Sequence, residues 1–389
     1  MPLTPEAAAL ITSINKQYGE GSIVTAKDIQ IHKRYTTGWL GLDVALGGGW
    51  PANQPIEIVG RESHGKTAVV LKTIAANMEA DPNFTCLWVA AEHYDVDQAT
   101  ALGVDNDRVV VHSTQAMEEA FEVMLAFGAA KAVDAIVLDS YPALIADDEA
   151  AKDMDEFATM AVGARLFGKF FRKWGGQVHN DITNPDAKPL LGPIIINQFR
   201  DKIGGYSPRG TPQTTPGGNA KNYAFYVRVE VARDEFIAET FKGVEMKVGQ
   251  TIKVKTTKNK SAAPQQMAVV DFYFRDAPRH GFKRGEYDLG ADMVLMAILF
   301  NVVTKRGAWF YFENGETDES GKPRYRWQGQ AALMDAVLSD VDLKEAIEAQ
   351  VRERSANPQF LNTITDEDVA DAKNAGVRKV ARKTKASAA

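Results

Sequence analysis

The chain has 389 residues, 45% hydrophobic and 25% charged, with a formal net charge of −6. That is enough to bury more than one ordinary core in a globular composition. No run of about 18 apolar residues reads as a membrane span, and Met1 to Ala9 lacks the basic-then-apolar order of a secretory signal.

In chain order, Thr4-Pro5-Glu6 is an N-cap and first turn, with Pro at the first helical position. Ala7, Leu10, Ile11, Ile14 and Tyr18 then form an apolar helical stripe, which Gly19 and Gly21 end. A lone stripe must be covered, by its own core or by a neighbouring subunit. From Thr36 to about Val270, strands alternate with helices. Strands are predicted at Ile56 to Val59, Thr85 to Ala91, Ala135 to Asp139 and Pro193 to Asn197. Helices are predicted at Thr67 to Met78, Met117 to Lys131 and Phe157 to Trp174. This order predicts an α/β fold with a mainly parallel central sheet covered by helices on both faces.

Residues 223–232, 250–257 and 267–274 alternate like further strands. Residues 285–354 read as a small α+β C-terminal domain, helical with an aromatic hairpin at Trp309 to Phe312. The remainder, from Ser355, is a polar, basic-ended tail expected to be disordered. Two stretches break the rhythm: the acidic segment 146–155, and 201–219, rich in Gly, Pro, Thr and Ser. Cys86, in the run Cys86-Leu87-Trp88-Val89, reads as a buried inert thiol. Its being the single cysteine points to a reducing, cytoplasmic setting. Basic residues cluster in Lys253 to Lys260, Arg275 to Arg284 and Arg378 to Lys385, so the negative total does not exclude DNA.

The chemistry begins at Gly60-Arg61-Glu62-Ser63-His64-Gly65-Lys66-Thr67, a G-x-x-x-x-G-K-[ST] loop between a predicted strand and a predicted helix. Such a loop wraps phosphates with backbone N–H groups at a helix N-terminus. Lys66 is expected on the β- and γ-phosphates of a nucleotide, and Thr67 on Mg²⁺. Asp139 closes an apolar strand where a second metal-associated acid belongs; its bland alternative is a cap. Glu92 follows another such strand and is placed to orient the attacking water; its alternative is a surface glutamate. Lys253, Lys255, Lys258 and Lys260 recur at near-even spacing. They could share one face of a strand, or be a solvated edge that deters aggregation.

Asn197-Gln198-Phe199-Arg200-Asp201-Lys202-Ile203-Gly204 and Thr214-Thr215-Pro216-Gly217-Gly218-Asn219-Ala220 resemble the start and end of the second DNA-binding loop of the bacterial RecA family. Lys255 to Pro264, Ile14 to Ile23, Thr37 to Gly47, Ala91-Glu92-His93, Leu102 to Asp105 and Gly307 to Tyr311 are similar to further RecA segments, in order, across residues 10–350. The resemblance implies a RecA-like P-loop NTPase core at 36–280, with DNA-binding loops at about 146–162 and 199–219. It also implies an N-terminal interface arm at 1–35, a small domain at 281–354 and a tail at 355–389.

By the same resemblance, Glu92 is the catalytic carboxylate. Gln198 senses the γ-phosphate. Lys258 and Lys260 reach ATP on a neighbouring subunit. Met160, Arg165, Arg200, Lys202, Gly204, Arg209, Gly217, Gly218 and Asn219 meet DNA, while Ile14 and Tyr223 lie at the subunit interface. The function implied is ATP-dependent pairing and exchange of single-stranded with homologous double-stranded DNA by a homo-oligomeric helical filament without a membrane. A ring-forming helicase and a non-hydrolysing mediator are the alternatives.

Several features depart from the family pattern. Arg61 and His64 stand where it has a proline and a small residue. The stretch after Glu92 is one residue short, leaving Tyr94 as the aromatic to pack on adenine. Residues 175–191 look inserted, and the acidic tail is replaced by a basic one that either binds DNA phosphates or is merely solvated.

Overall fold

The computed structural model describes residues 3–19, 21–28, 33–153, 161–177, 188–201, 213–218 and 220–357. Most of the expected insert (178–187) and the tail beyond 357 lie outside the described residues, as do Met160, Lys202, Gly204, Arg209 and Asn219.

Helix α1 (Pro5–Tyr18) starts as its sequence dictates, with the Thr4 hydroxyl accepting from the Ala7 N–H at 3.3 Å. None of its residues is buried, and Leu10 and Tyr18 are 61% and 69% exposed, so its own core does not cover the stripe.

Strand β1 (Arg34–Tyr35), helix α2 (Leu40–Leu46) and strand β2 (Trp50–Pro51) lead to β3 (Ile56–Gly60), α3 (Lys66–Ala80), β4 (Cys86–Ala90) and α4 (Val96–Ala101). Next come β5 (Val109–Ser113), α5 (Met117–Ala130), β6 (Ala135–Asp139), α6 (Asp147–Ala150), α7 (Ala161–Gln177) and β7 (Leu191–Gln198). The short strands β8 (Arg200–Asp201) and β9 (Gln213–Thr214) precede α8 (Ala220–Ala224), β10 (Val227–Phe241), β11 (Val244–Asn259) and β12 (Met267–Tyr273).

Eight strands form the central sheet in the order β12-β11-β10-β3-β7-β6-β4-β5. Those from β10 to β5 are parallel, while β11 and β12 are antiparallel additions. The apolar runs of β4 and β6 are buried on both sides. Cys86, Trp88, Ala135 and Val137 pack into one core with α3, while Leu87, Val89, Ile136 and Leu138 pack into another with α5 and α7. The mainly parallel sheet expected from the sequence is thus present.

Several elements differ from their sequence expectation. Strand β5 is an addition to the expected order. It is an edge strand with one partner, and Val110 and Val111 are 48% and 42% exposed, so it carries no buried-strand signature. Helix α7 continues through Gly175 and Gly176 to Gln177. Residues 220–224 are helical, and β10 and β11 run on as a hairpin to Phe241 and Val244. The polar Arg233-Asp234-Glu235 and the bulge between Arg233 and Phe236 hide that extension from an alternation pattern. β11 lies between β10 and β12 as far as Lys255, which places Lys253 and Lys255 within the sheet, whereas Lys258 and Lys260 lie beyond the β12 pairing.

From residue 289 onward, helix α9 (Leu289–Leu299) precedes an antiparallel sheet of β13 (Val303–Arg306), β14 (Trp309–Thr317) and β15 (Pro323–Gln328), one strand more than the expected hairpin. Helices α10 (Gln330–Ser339) and α11 (Val341–Ala356) complete a separate apolar cluster. Polar ties join it to α2. The Asp292 carboxylate accepts from Trp39 Nε1 and the Gly41 N–H, and Arg352 donates to buried Asp43 at 2.8 Å. Among the described residues, no helix is long and apolar enough to cross a membrane.

Candidate nucleotide site

The phosphate-binding loop leaves β3 at Gly60 and enters α3 at Lys66. Gly65 caps the helix at φ +94°, and a Cβ there would stand 2.8 Å from Ile252 Cδ1, so both backbone and space demand glycine. Arg61, Glu62, Ser63 and His64 complete the loop. Burial, followed by the nearby charges of Arg233, Lys66 and Arg61, lowers the His64 pKa.

Lys66 is buried and its Nζ donates to the Arg61 carbonyl at 2.8 Å. Desolvation lowers its pKa, and Asp139, Glu92 and Glu62 oppose that. The Thr67 hydroxyl donates to Asp139 Oδ2 at 2.9 Å. This pair offers hard oxygen donors of the kind Mg²⁺ takes beside phosphate oxygens and water. Among the described residues, no cluster of three His, Cys, Asp or Glu side chains forms a self-sufficient metal cage.

Asp139, Glu92 and Gln198 converge because β6, β4 and β7 end at the same edge of the sheet. The N–H groups of Ala91 and Glu92 donate to the Asp139 carbonyl at 2.9 and 3.0 Å. Ser140 donates to Glu92 Oε1, and Gln198 Nε2 lies 3.5 Å from the same oxygen.

Burial, with Glu92 nearby, pushes the Asp139 pKa up to about 6 against the lowering effect of Thr67 and Lys66. A raised carboxyl pKa contributes stability below the unfolded value, near 4, that is lost as pH rises through 6. The Asp139→Asn variant of the nucleotide-free protein is therefore expected to gain about 1–3 kcal/mol over wild type at pH 8 and about a third of that at pH 4.5. Urea unfolding at the two pH values measures this, and an equal effect at both would refute it.

Lys66, Thr67, Glu92, Asp139 and Gln198 line a cavity of about 440 Å³. Its remaining wall includes residues that sequence reasoning missed: Gln98, Arg233, Phe236, Gln250, Phe272 and Phe274. Phe236 lies between Arg233 and Lys247, each about 4 Å from the ring centroid. Gln98, Phe272 and Phe274 also line an adjoining hollow of about 250 Å³.

Tyr94, expected beside adenine, does not line this cavity. Its ring packs edge-on against Trp88 and its hydroxyl donates to Asn106 Oδ1 at 2.8 Å. The core offered the aromatic face and a hydrogen bond together.

Lys258 and Lys260 do not line this cavity. Lys258 Nζ donates to the Asn222 and Phe225 carbonyls at 2.6 Å each, and Lys260 Nζ lies 3.4 Å from the Tyr223 carbonyl. Burial first, then Lys260 and Arg228, lowers the Lys258 pKa. Tyr223 is 81% exposed and Ile14 is half-buried. Arg165 and Arg200 are exposed. Arg200 and Asp201 pair with Thr214 and Gln213, which brings the two ends of the 199–219 segment together two residues beyond Gln198.

A glycine-rich loop between a central strand and its helix, with Thr67 and Asp139 together at the C-terminal edge of a parallel sheet, defines a P-loop protein of the α/β class. Residues 6–277 match the family model described as the RecA N-terminal domain. Protein RecA of Pseudomonas fluorescens (strain Pf0-1) is 33% identical over 378 residues, covering 94% of this chain and 97% of the relative. Protein RecA of Oceanobacillus iheyensis is 36% identical over 336 residues, with coverage of 85% and 88%. Protein RecA of Leptospira biflexa is 34% identical over 355 residues, with coverage of 90% and 83%. The chain belongs to the RecA family.

Proposed function

We propose that this chain is an ATP-driven recombinase that assembles as a helical filament on single-stranded DNA and exchanges strands with homologous double-stranded DNA. The observation that carries this reading is the place of Gln198. It lines the cavity beside Glu92 and stands two residues before the paired ends of the segment expected to hold DNA. A group at that junction responds to a γ-phosphate and to DNA alike.

Bound Mg²⁺ would neutralise phosphate charge and polarise the terminal phosphoryl group. Lys66 would exchange the Arg61 carbonyl for phosphate oxygens, while Thr67 and Asp139 would hold the metal. Glu92 would orient the attacking water and accept its proton. Gln98, Phe272 and Phe274 form an amide-and-aromatic wall suited to a flat base. Lys258 and Lys260, with Arg228 beside them, form a cluster of positive charge suited to the nucleotide of an adjacent subunit. DNA would meet Arg165, Arg200 and the 199–219 segment, through the backbone rather than base edges, so that base pairing itself tests homology. The lone buried Cys86 suits a reducing compartment such as the cytoplasm.

ATP hydrolysis measured with and without single-stranded DNA tests this reading, beside a Lys66→Ala control. Strong stimulation by DNA is expected, with at least a ~100-fold loss in the control. ATP binding without any DNA stimulation would favour a mediator instead.

A further inference from the structure

Glu57 is an acid inside the apolar strand β3, three residues before the phosphate-binding loop, and it is fully buried. A buried carboxylate is retained only with partners. Its Oε1 accepts from Asn197 Nδ2 at 2.8 Å and from Lys221 Nζ at 3.0 Å, and its Oε2 accepts from Arg228 Nε at 2.5 Å. The side chains of Lys221 and Arg228 are 2% and 21% exposed.

Each partner leads elsewhere. Asn197 precedes Gln198, and its side chain accepts from the Gln198 N–H at 2.9 Å and donates to the Pro216 carbonyl at 3.2 Å. Lys221 also donates to the Thr215 hydroxyl. A Cβ on Gly217 would lie 2.7 Å from Phe167 of α7 and 2.8 Å from the Lys221 stem, so the backbone of the 215–218 turn rests directly on Lys221. Arg228 donates to Asn222 Oδ1 at 3.0 Å in α8, whose C-terminal carbonyls Lys258 holds. One carboxylate therefore ties the strand of the phosphate-binding loop, the residue before Gln198 and the far end of the 199–219 segment.

We infer that Glu57 and Lys221 are positioning residues that couple the nucleotide site to the DNA segment, so that triphosphate binding alters affinity for single-stranded DNA through this buried pair. This rests on the recombinase reading above. A β3 or β7 displacement of a few tenths of an ångström at the phosphates cannot be absorbed by a close-packed, desolvated ion cluster, and it passes to the 215–218 turn.

The test is the affinity of a fluorescent single-stranded oligonucleotide for the full chain with Mg²⁺ and either a non-hydrolysable ATP analogue or ADP. In wild type the analogue is expected to tighten binding at least ~10-fold over ADP. In Lys221→Met, which leaves Glu57 paired with Arg228, and in Glu57→Gln/Lys221→Met, which removes both charges, the ratio should fall to within about twofold of one. Affinity in ADP and ATP affinity without DNA should stay near wild type, the melting temperature should fall because a buried ion cluster is opened, and Lys221→Arg should recover most of the ratio. If the double variant does not melt cooperatively, the single variant decides. A wild-type ratio retained in the variants, or affinities that fall equally in both nucleotide states, overturns the inference and leaves the recombinase reading standing. A wild-type ratio of one overturns the recombinase reading, and this inference with it.

Discussion

Glu92→Gln is expected to slow DNA-stimulated ATP hydrolysis about 100–1,000-fold while ATP affinity changes less than about threefold. The carboxylate stands just past the end of β4, fixed by the Ser140 hydroxyl and faced by Gln198, and it offers phosphate no donor of its own. A glutamine keeps an oxygen to accept from Ser140, so the local hydrogen bonding survives. What it loses is the ability to take a proton from water. Single-turnover hydrolysis, read beside equilibrium nucleotide binding, separates the two. Parallel losses of rate and affinity would mean that Glu92 shapes the cavity instead of acting in the reaction.

Lys258→Ala is the second large effect. Its ammonium is spent on the Asn222 and Phe225 carbonyls in the isolated chain, away from its own cavity. A cation supplied from a neighbour to a transferring phosphoryl group is worth ~10³-fold or more, so a loss of that order is expected in the DNA-bound assembly. The decisive measurement mixes Lys258→Ala with Glu92→Gln. A Lys258→Ala subunit keeps an intact Glu92, and an adjacent Glu92→Gln subunit brings an intact Lys258. Random mixing of equal amounts makes roughly a quarter of the sites complete, provided that subunits associate head to tail. Recovery toward that fraction is expected from two preparations that are each nearly inactive. No recovery would place Lys258 within its own subunit, capping α8.

The local chemistry of the phosphate site is legible in the sequence. The glycine and lysine spacing of residues 60–67 records a turn feeding a helix N-terminus, and that geometry is built within eight consecutive residues. Asp139 and Glu92 are legible for a related reason: each ends an apolar run, and parallel strands buried on both faces deliver their last residues to one edge. The N-cap at Thr4 is equally local. Strand β5 is not legible, because an edge strand with exposed valines lacks both a continuous apolar run and a strict alternation.

The rest of the site depends on which distant segments the fold brings side by side. Gln98, Arg233, Phe236, Gln250, Phe272 and Phe274 come from four stretches, and only the pairing of β10, β11 and β12 beside β3 turns them into one wall. Tyr94 shows the converse: the aromatic nearest in sequence is taken up by Trp88 and Asn106. Glu57 lies in view as a charge within an apolar strand, a sign that some partner must exist. Lys221, 164 positions away, is identified only by the register of β10 against β3, which sets Arg228 opposite Glu57 and carries α8 alongside. Turns, caps and strand runs are encoded by neighbours along the chain, whereas the partner of a buried charge is settled by register and packing between elements far apart in it.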